Sequence, residues 1–122
     1  MKMAQAVSAL AALAHAGRLT IFRELVPAGP QGLAAGEIGR RVGVQPTTLS
    51  ASLAVLAHAG LVTSRRKGRS VIYSAAYDTM GEVLGFLVQD CCNGSPEVCI
   101  RLADVLENVA CCPPAMPKPG LA

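Results

Sequence analysis

Five cysteines are the residues most able to do chemistry: Cys91, Cys92, Cys99, Cys111 and Cys112, all beyond residue 90 of a 122-residue chain. Thiolates without nitrogen or oxygen partners suit a soft, thiophilic centre. Cys91, Cys92 and Cys99 are the candidate ligand set. The first two close one expected helix, Asn93-Gly94 supplies a turn, and Cys99 falls in the first turn of the next helix. The positive end of that helix favours the Cys99 thiolate. Trivalent arsenic matches a set of three, because its lone pair leaves three bonds in a pyramid, and trivalent antimony fits the same cage. Cys111 and Cys112 form a possible second site, ligands across a dimer or an incidental pair. Lone buried cysteines act as small hydrophobes, but two adjacent pairs plus a fifth so close by read better as ligands. The only histidines, His15 and His58, lie outside this region and read as structural, which disfavours a tetrahedral zinc site with imidazole ligands. No nucleophile stands beside a base, so no enzyme is expected, and no organic cofactor.

A second chemistry belongs to cations. Arg65-Arg66-Lys67-Gly68-Arg69 places four basic residues in five, and Arg40-Arg41 adds two more. Residues 1–77 hold nine Lys/Arg against Glu24 and Glu37, a balance of +7, whereas residues 78–122 hold two basic residues against six acids, a balance of −4. Such asymmetry points to a polyanion facing the first part of the chain.

These groups need elements to position them. Residues 4–16 are strong helix formers with Val7, Leu10 and Ala14 at helical spacing, and Leu19, Phe22 and Val26 mark a second helix over about 18–26. Pro27 to Gly32 reads as a loop. A short helix from about Ala34 to Val42 stops at Gly43, and Pro46 opens another that runs to His58. The period then changes: Leu61–Ser64 and Ser70–Ser74 are strand-like, joined by the basic turn. Helical patterns resume from Asp78 to Asp90 and over 96–110. The expected fold is mainly α with a small β-hairpin, a winged helix-turn-helix. Residues 1–110 make one DNA-binding and dimerisation domain, and 111–122, with four prolines, a flexible tail.

In the helix from Pro46, Leu49, Leu53 and Leu56 line one side, while Thr47, Thr48, Ala51 and His58 face the other. Small outward groups let a recognition helix approach base edges. The candidate DNA contacts are Arg40, Arg41, Gln45, Thr47, Thr48, Ser50, Ser52, Arg65, Arg66, Lys67 and Arg69. A basic hairpin directly after a helix-turn-helix has the phosphate backbone as its obvious partner.

The run Leu49–Val62 resembles the signature of the ArsR/SmtB family of bacterial metalloregulatory repressors. The wing Arg65–Tyr73 and the stretch Leu10–Leu25 are similar to theirs too, so the likeness spans roughly residues 5–90. It implies a homodimer through the first and last helices that binds double-stranded operator DNA until an inducer releases it. A subset of the family has a comparable Cys-Cys pair with a nearby third cysteine late in the chain. There are departures. Ser52 stands where many relatives carry His, and Ala35–Val42 lacks the Cys-x-Cys pair that many place there. The Asp/His zinc site of other relatives' last helix is also missing.

An arsenic(III)-responsive repressor follows, with As(III) or Sb(III) as inducer. Val98, Leu102, Val105, Leu106 and Val109 form an apolar stripe, and a metalloid drawing three thiols together would reorient that helix. Two alternatives use the same cysteines: a thiol redox or reactive-sulfur sensor on this scaffold, and a metallochaperone that binds no DNA. The metallochaperone leaves the basic hairpin unexplained. The N-terminus mimics a signal peptide up to Ala14-His15-Ala16, but its Ala-rich run reads better as a helix. No apolar run is long enough to span a membrane, and a cytoplasmic location, where thiols stay reduced, is expected.

Overall fold

A computed structural model describes residues 1–89 together with 101, 104 and 105. The chain divides into a unit of Met1–Leu87 and a second of Val88–Ala122, and the elements below belong to the first up to its boundary. They run α1 (Met3–Leu13), α2 (Ala16–Ala28), β1 (Leu33–Ala34), α3 (Ala35–Val42), α4 (Pro46–His58), β2 (Val62–Lys67), β3 (Ser70–Ala75) and α5 (Tyr77–Val88). This order is a winged helix-turn-helix: α3 and α4 are the two helices of the motif, and β2–β3 is the wing.

The first helix packs through its smallest side chains. Ala6, Ala9 and Ala12 are buried at a spacing of three, whereas Val7 is 56 % and Leu10 38 % exposed. Methyl groups allow close backbone approach, so the larger apolar residues that mark this helix in the sequence face outward. Its last carbonyls are not left bare: Arg18 donates from Nε to the Ala12 carbonyl at 2.6 Å and from Nη2 to that of Ala11 at 3.4 Å. His15 caps the next helix, its Nδ1 accepting from the amides of Gly17 and Arg18 at 3.1 and 3.3 Å. The expected structural role of His15 is thereby given a form.

The second helix extends beyond its expected end, taking Pro27 and Ala28 into its last turn before Gly29 at φ +78°. It contributes Ile21, Phe22 and Leu25 to the core, with Ile38 from α3, Leu49, Leu53 and Leu56 from α4, and Leu61 and Val62 from the start of the wing. Ile21, Leu25, Ile38, Leu53, Leu56 and Leu61 are wholly enclosed. With no Trp and only two Phe, this aliphatic set must fill the interior by number.

The motif turn is set by two residues. Gly43 ends α3 in the left-handed region at φ +69°, its amide bonding the Gly39 carbonyl at 2.8 Å. Pro46 then opens α4 at a position that needs no amide donor.

The sheet has three strands in the order β1-β3-β2, all antiparallel. Sequence reading gives only the hairpin. The third strand is two residues long, too short to carry an alternation, and pairs Leu33 with Tyr73 and Ala34 with Ile72. The hairpin itself is longer than expected: β2 continues to Lys67, which pairs with Ser70, so the tip is just Gly68 and Arg69, with Gly68 at φ +63°. The expected tail at 111–122 and the helix over 96–110 lie outside the described residues, apart from single positions.

Candidate nucleic-acid interface

The outer face of α4 carries small polar groups on a firmly seated helix. Leu49, Leu53 and Leu56 are buried, while Gln45, Thr47, Thr48, Ser50 and Ala51 are exposed along the N-terminal half. Ser52 departs from the expected set. It is only 8 % exposed, because positions 49, 52, 53 and 56 share one helical face, the face against the core. Ser52 is therefore much less available to a base edge or a phosphate than its exposed neighbours Thr48 and Ala51.

The six expected cations divide into three kinds. Arg40 and Arg41 are held by an acid on their own helix: Glu37 pairs with Arg40, and accepts from Arg41 Nε at 2.9 Å. Arg41 also lies 3.7 Å from Glu24 of α2. Arg65 is turned to the fold's own backbone, its Nη2 donating to the Gln31 carbonyl at 2.6 Å and its Nη1 to that of Pro30 at 3.3 Å. Arg66, Lys67 and Arg69 are exposed and, among the described residues, make no side-chain hydrogen bond or ion pair. The tip of the wing is thus where uncompensated positive charge projects.

Three residues that sequence reading did not single out shape this site. Glu37 was within reach, since its spacing of three and four to Arg40 and Arg41 is the helical ion-pair pattern. Ser74 and Gly32 gave no such signal, because they act through contacts between segments distant in sequence. Ser74 is buried and donates to the Pro30 carbonyl at 3.1 Å.

The expected metalloid ligands Cys91, Cys92 and Cys99, and the further pair Cys111 and Cys112, lie outside the described residues. Among the described residues no three His, Cys, Asp or Glu side chains gather as a metal site. The helix α3, where a Cys-x-Cys pair would sit, carries Ala35-Gly36-Glu37-Ile38-Gly39-Arg40-Arg41-Val42 instead. Also among the described residues, no helix is long and apolar enough to cross a membrane.

A helix-turn-helix seated on an aliphatic core, with a cationic wing beside it, defines a winged helix-turn-helix fold. The helix-turn-helix domain family HTH_20 matches residues 13–65. The HTH-type transcriptional regulator NmtR of Mycobacterium tuberculosis is 41 % identical over 76 residues, 62 % of this chain and 60 % of that protein. The chain therefore spans about three-fifths of the length of this curated relative. An ArsR-like transcriptional regulator from Rhodococcus sp. RHA1 superposes with a TM-score of 0.64 at 26 % identity, covering 89 % of this chain and 96 % of that one. The homodimeric winged helix-turn-helix domain of Mb0332 from Mycobacterium bovis, a possible ArsR-family regulator, superposes at 0.59 with 31 % identity over 76 % and 82 % of the two chains. This chain belongs to the ArsR/SmtB family of winged helix-turn-helix transcriptional regulators.

Proposed function

We propose that this protein is a dimeric, arsenic(III)-responsive repressor that holds operator DNA and releases it when As(III) or Sb(III) binds Cys91, Cys92 and Cys99. The observation that carries the reading is a separation of chemistries. All five thiols lie beyond residue 90, and the stretch from Glu37 to Tyr73, which carries the reading helix and the wing, contains none. A sensor made only of sulfur, with no histidine near it in sequence, suits a soft, thiophilic centre and disfavours a tetrahedral zinc site with imidazole ligands.

The dimer draws support from surface chemistry. Leu10 and Leu13 of α1, Leu19 and Phe22 of α2, and Met80 and Leu84 of α5 line an apolar groove of about 380 Å³. Leu84 and Leu87 are at least half exposed in the single chain. A continuous apolar face of this kind favours a partner, and the Mycobacterium bovis relative is homodimeric. Two reading helices on one dimer would enter successive major grooves, and a change in their spacing would empty the operator. The coupling required is only about 1–3 kcal/mol. The site of action is the cytoplasm, where the thiols stay reduced.

The test is a fluorescence anisotropy titration of promoter DNA, saturated with protein, against arsenite, antimonite, methylated arsenicals, cadmium, zinc and peroxide. Release by arsenite and antimonite, lost in a Cys91→Ser/Cys92→Ser/Cys99→Ser variant, is the expected result. Release by peroxide alone would move the assignment to a redox switch. Unchanged arsenite release by the triple variant would remove these cysteines from the mechanism.

A further inference from the structure

The wing rises from a base that is fixed to the loop after α2 at three points. Ser74, buried in β3, donates its hydroxyl to the Pro30 carbonyl at 3.1 Å. Arg65, across the ribbon from Ile72, spends its guanidinium on the Gln31 carbonyl at 2.6 Å, the Pro30 carbonyl at 3.3 Å and Ser74 Oγ at 3.4 Å. Gly32 comes next, at φ +74°, and a Cβ there would lie 2.2 Å from the Tyr73 carbonyl oxygen. No side chain fits between loop and strand. The last turn of α2, from which the loop departs, is anchored in turn, because Tyr77 Oη of α5 donates to the Val26 carbonyl at 2.7 Å.

We propose that Arg65 is the positioning residue of the wing. With Ser74 it clamps the ribbon to the Pro30-Gln31 segment and aims Arg66, Lys67 and Arg69 at the DNA, without touching DNA itself. This rests on the DNA-binding reading above. A two-stranded ribbon alone is marginal in water, and cations on a wandering ribbon must be ordered at the moment of binding, which lowers affinity. A planar fork is what the job needs: two carbonyls and a hydroxyl lie within reach of its two Nη atoms, a geometry that the point charge of a lysine does not reproduce. Alternation along β2 sets the Arg66 side chain on the face of the ribbon opposite Arg65.

The decisive experiment is a double-mutant cycle on the full chain, binding a mixed-sequence DNA duplex long enough for two half-sites. R65A is expected to weaken binding about tenfold, as loss of charge-assisted hydrogen bonds allows. R66A alone should cost about fivefold, the loss of one phosphate contact. In the R65A background the R66A effect should shrink to under about twofold, because a misdirected wing has little left to lose. Strict additivity would overturn the clamp, whether Arg65 contacts DNA directly or merely contributes to stability. R65K, which keeps the charge and loses the fork, should bind as weakly as R65A, and wild-type affinity for it would also overturn the proposal. Amide hydrogen exchange without DNA separates the two readings. In R65A the amides of residues 32–34 and 70–75 should exchange faster while α3 and α4 hold, and unchanged exchange there would sink the clamp. Failure of the wild-type chain to bind the duplex would instead remove the DNA-binding reading.

Discussion

Two arginine-rich clusters look alike in the sequence and differ in the folded chain. Arg40 and Arg41 at the end of α3 sit against Glu37 and, for Arg41, Glu24. Arg66, Lys67 and Arg69 at the wing have no acid near them among the described residues. Glu24 and Glu37 are the only acids in residues 1–77, and both are used at the first cluster. Exposed pairs of this kind contribute only about 0–1 kcal/mol to stability. Their larger consequence is electrostatic: they remove charge from one end of the reading unit and leave it at the other. Charge counted along a sequence is therefore not charge available to a ligand.

The largest loss is expected when the platform under both clusters is weakened. Leu53 of α4 is wholly enclosed in the core that α2, α3, α4 and the start of the wing share, and Leu53→Ala should destabilise the fold by about 2–5 kcal/mol, read as a lowered denaturation midpoint. Next comes Gly32→Ala, which meets both the left-handed backbone and the Tyr73 carbonyl. It should cost about 1–3 kcal/mol and weaken DNA binding through the wing, while a wild-type melting temperature would show that the loop has room. A smaller change sharpens the contrast from the other side. Glu37→Gln releases Arg40 and most of the restraint on Arg41, and should raise duplex affinity about twofold at low salt, an advantage that fades as salt rises. Lower affinity would mean that Glu37 orients those arginines productively.

The helix-turn-helix and the wing were legible because their signals are local. Gly43 and Pro46 mark the turn, the Leu49-Leu53-Leu56 spacing marks the anchored face, and the change of period after Gly60 marks the ribbon. What escaped depends on contacts across sequence. The strand Leu33–Ala34 exists only because β3 lies beside it. Ser52 looked polar and available, yet its position beside Leu53 and between Leu49 and Leu56 turns it inward. Arg65 looked like one more wing cation until carbonyls 34 and 35 residues away claimed it. The outward Val7 and Leu10 make the same point for α1, where burial favours alanine over bulk.

The most direct test of where this chain meets DNA is the salt dependence of duplex binding for two variants, compared with the wild type. Each lost phosphate contact flattens the log–log slope by about 0.9. Arg66→Ala/Lys67→Ala/Arg69→Ala should therefore flatten it by about 2–3 per protomer, and Arg40→Ala/Arg41→Ala by less than about 1. Equal flattening by the two variants, or a larger effect at α3, would contradict the account of a wing that carries the uncompensated charge.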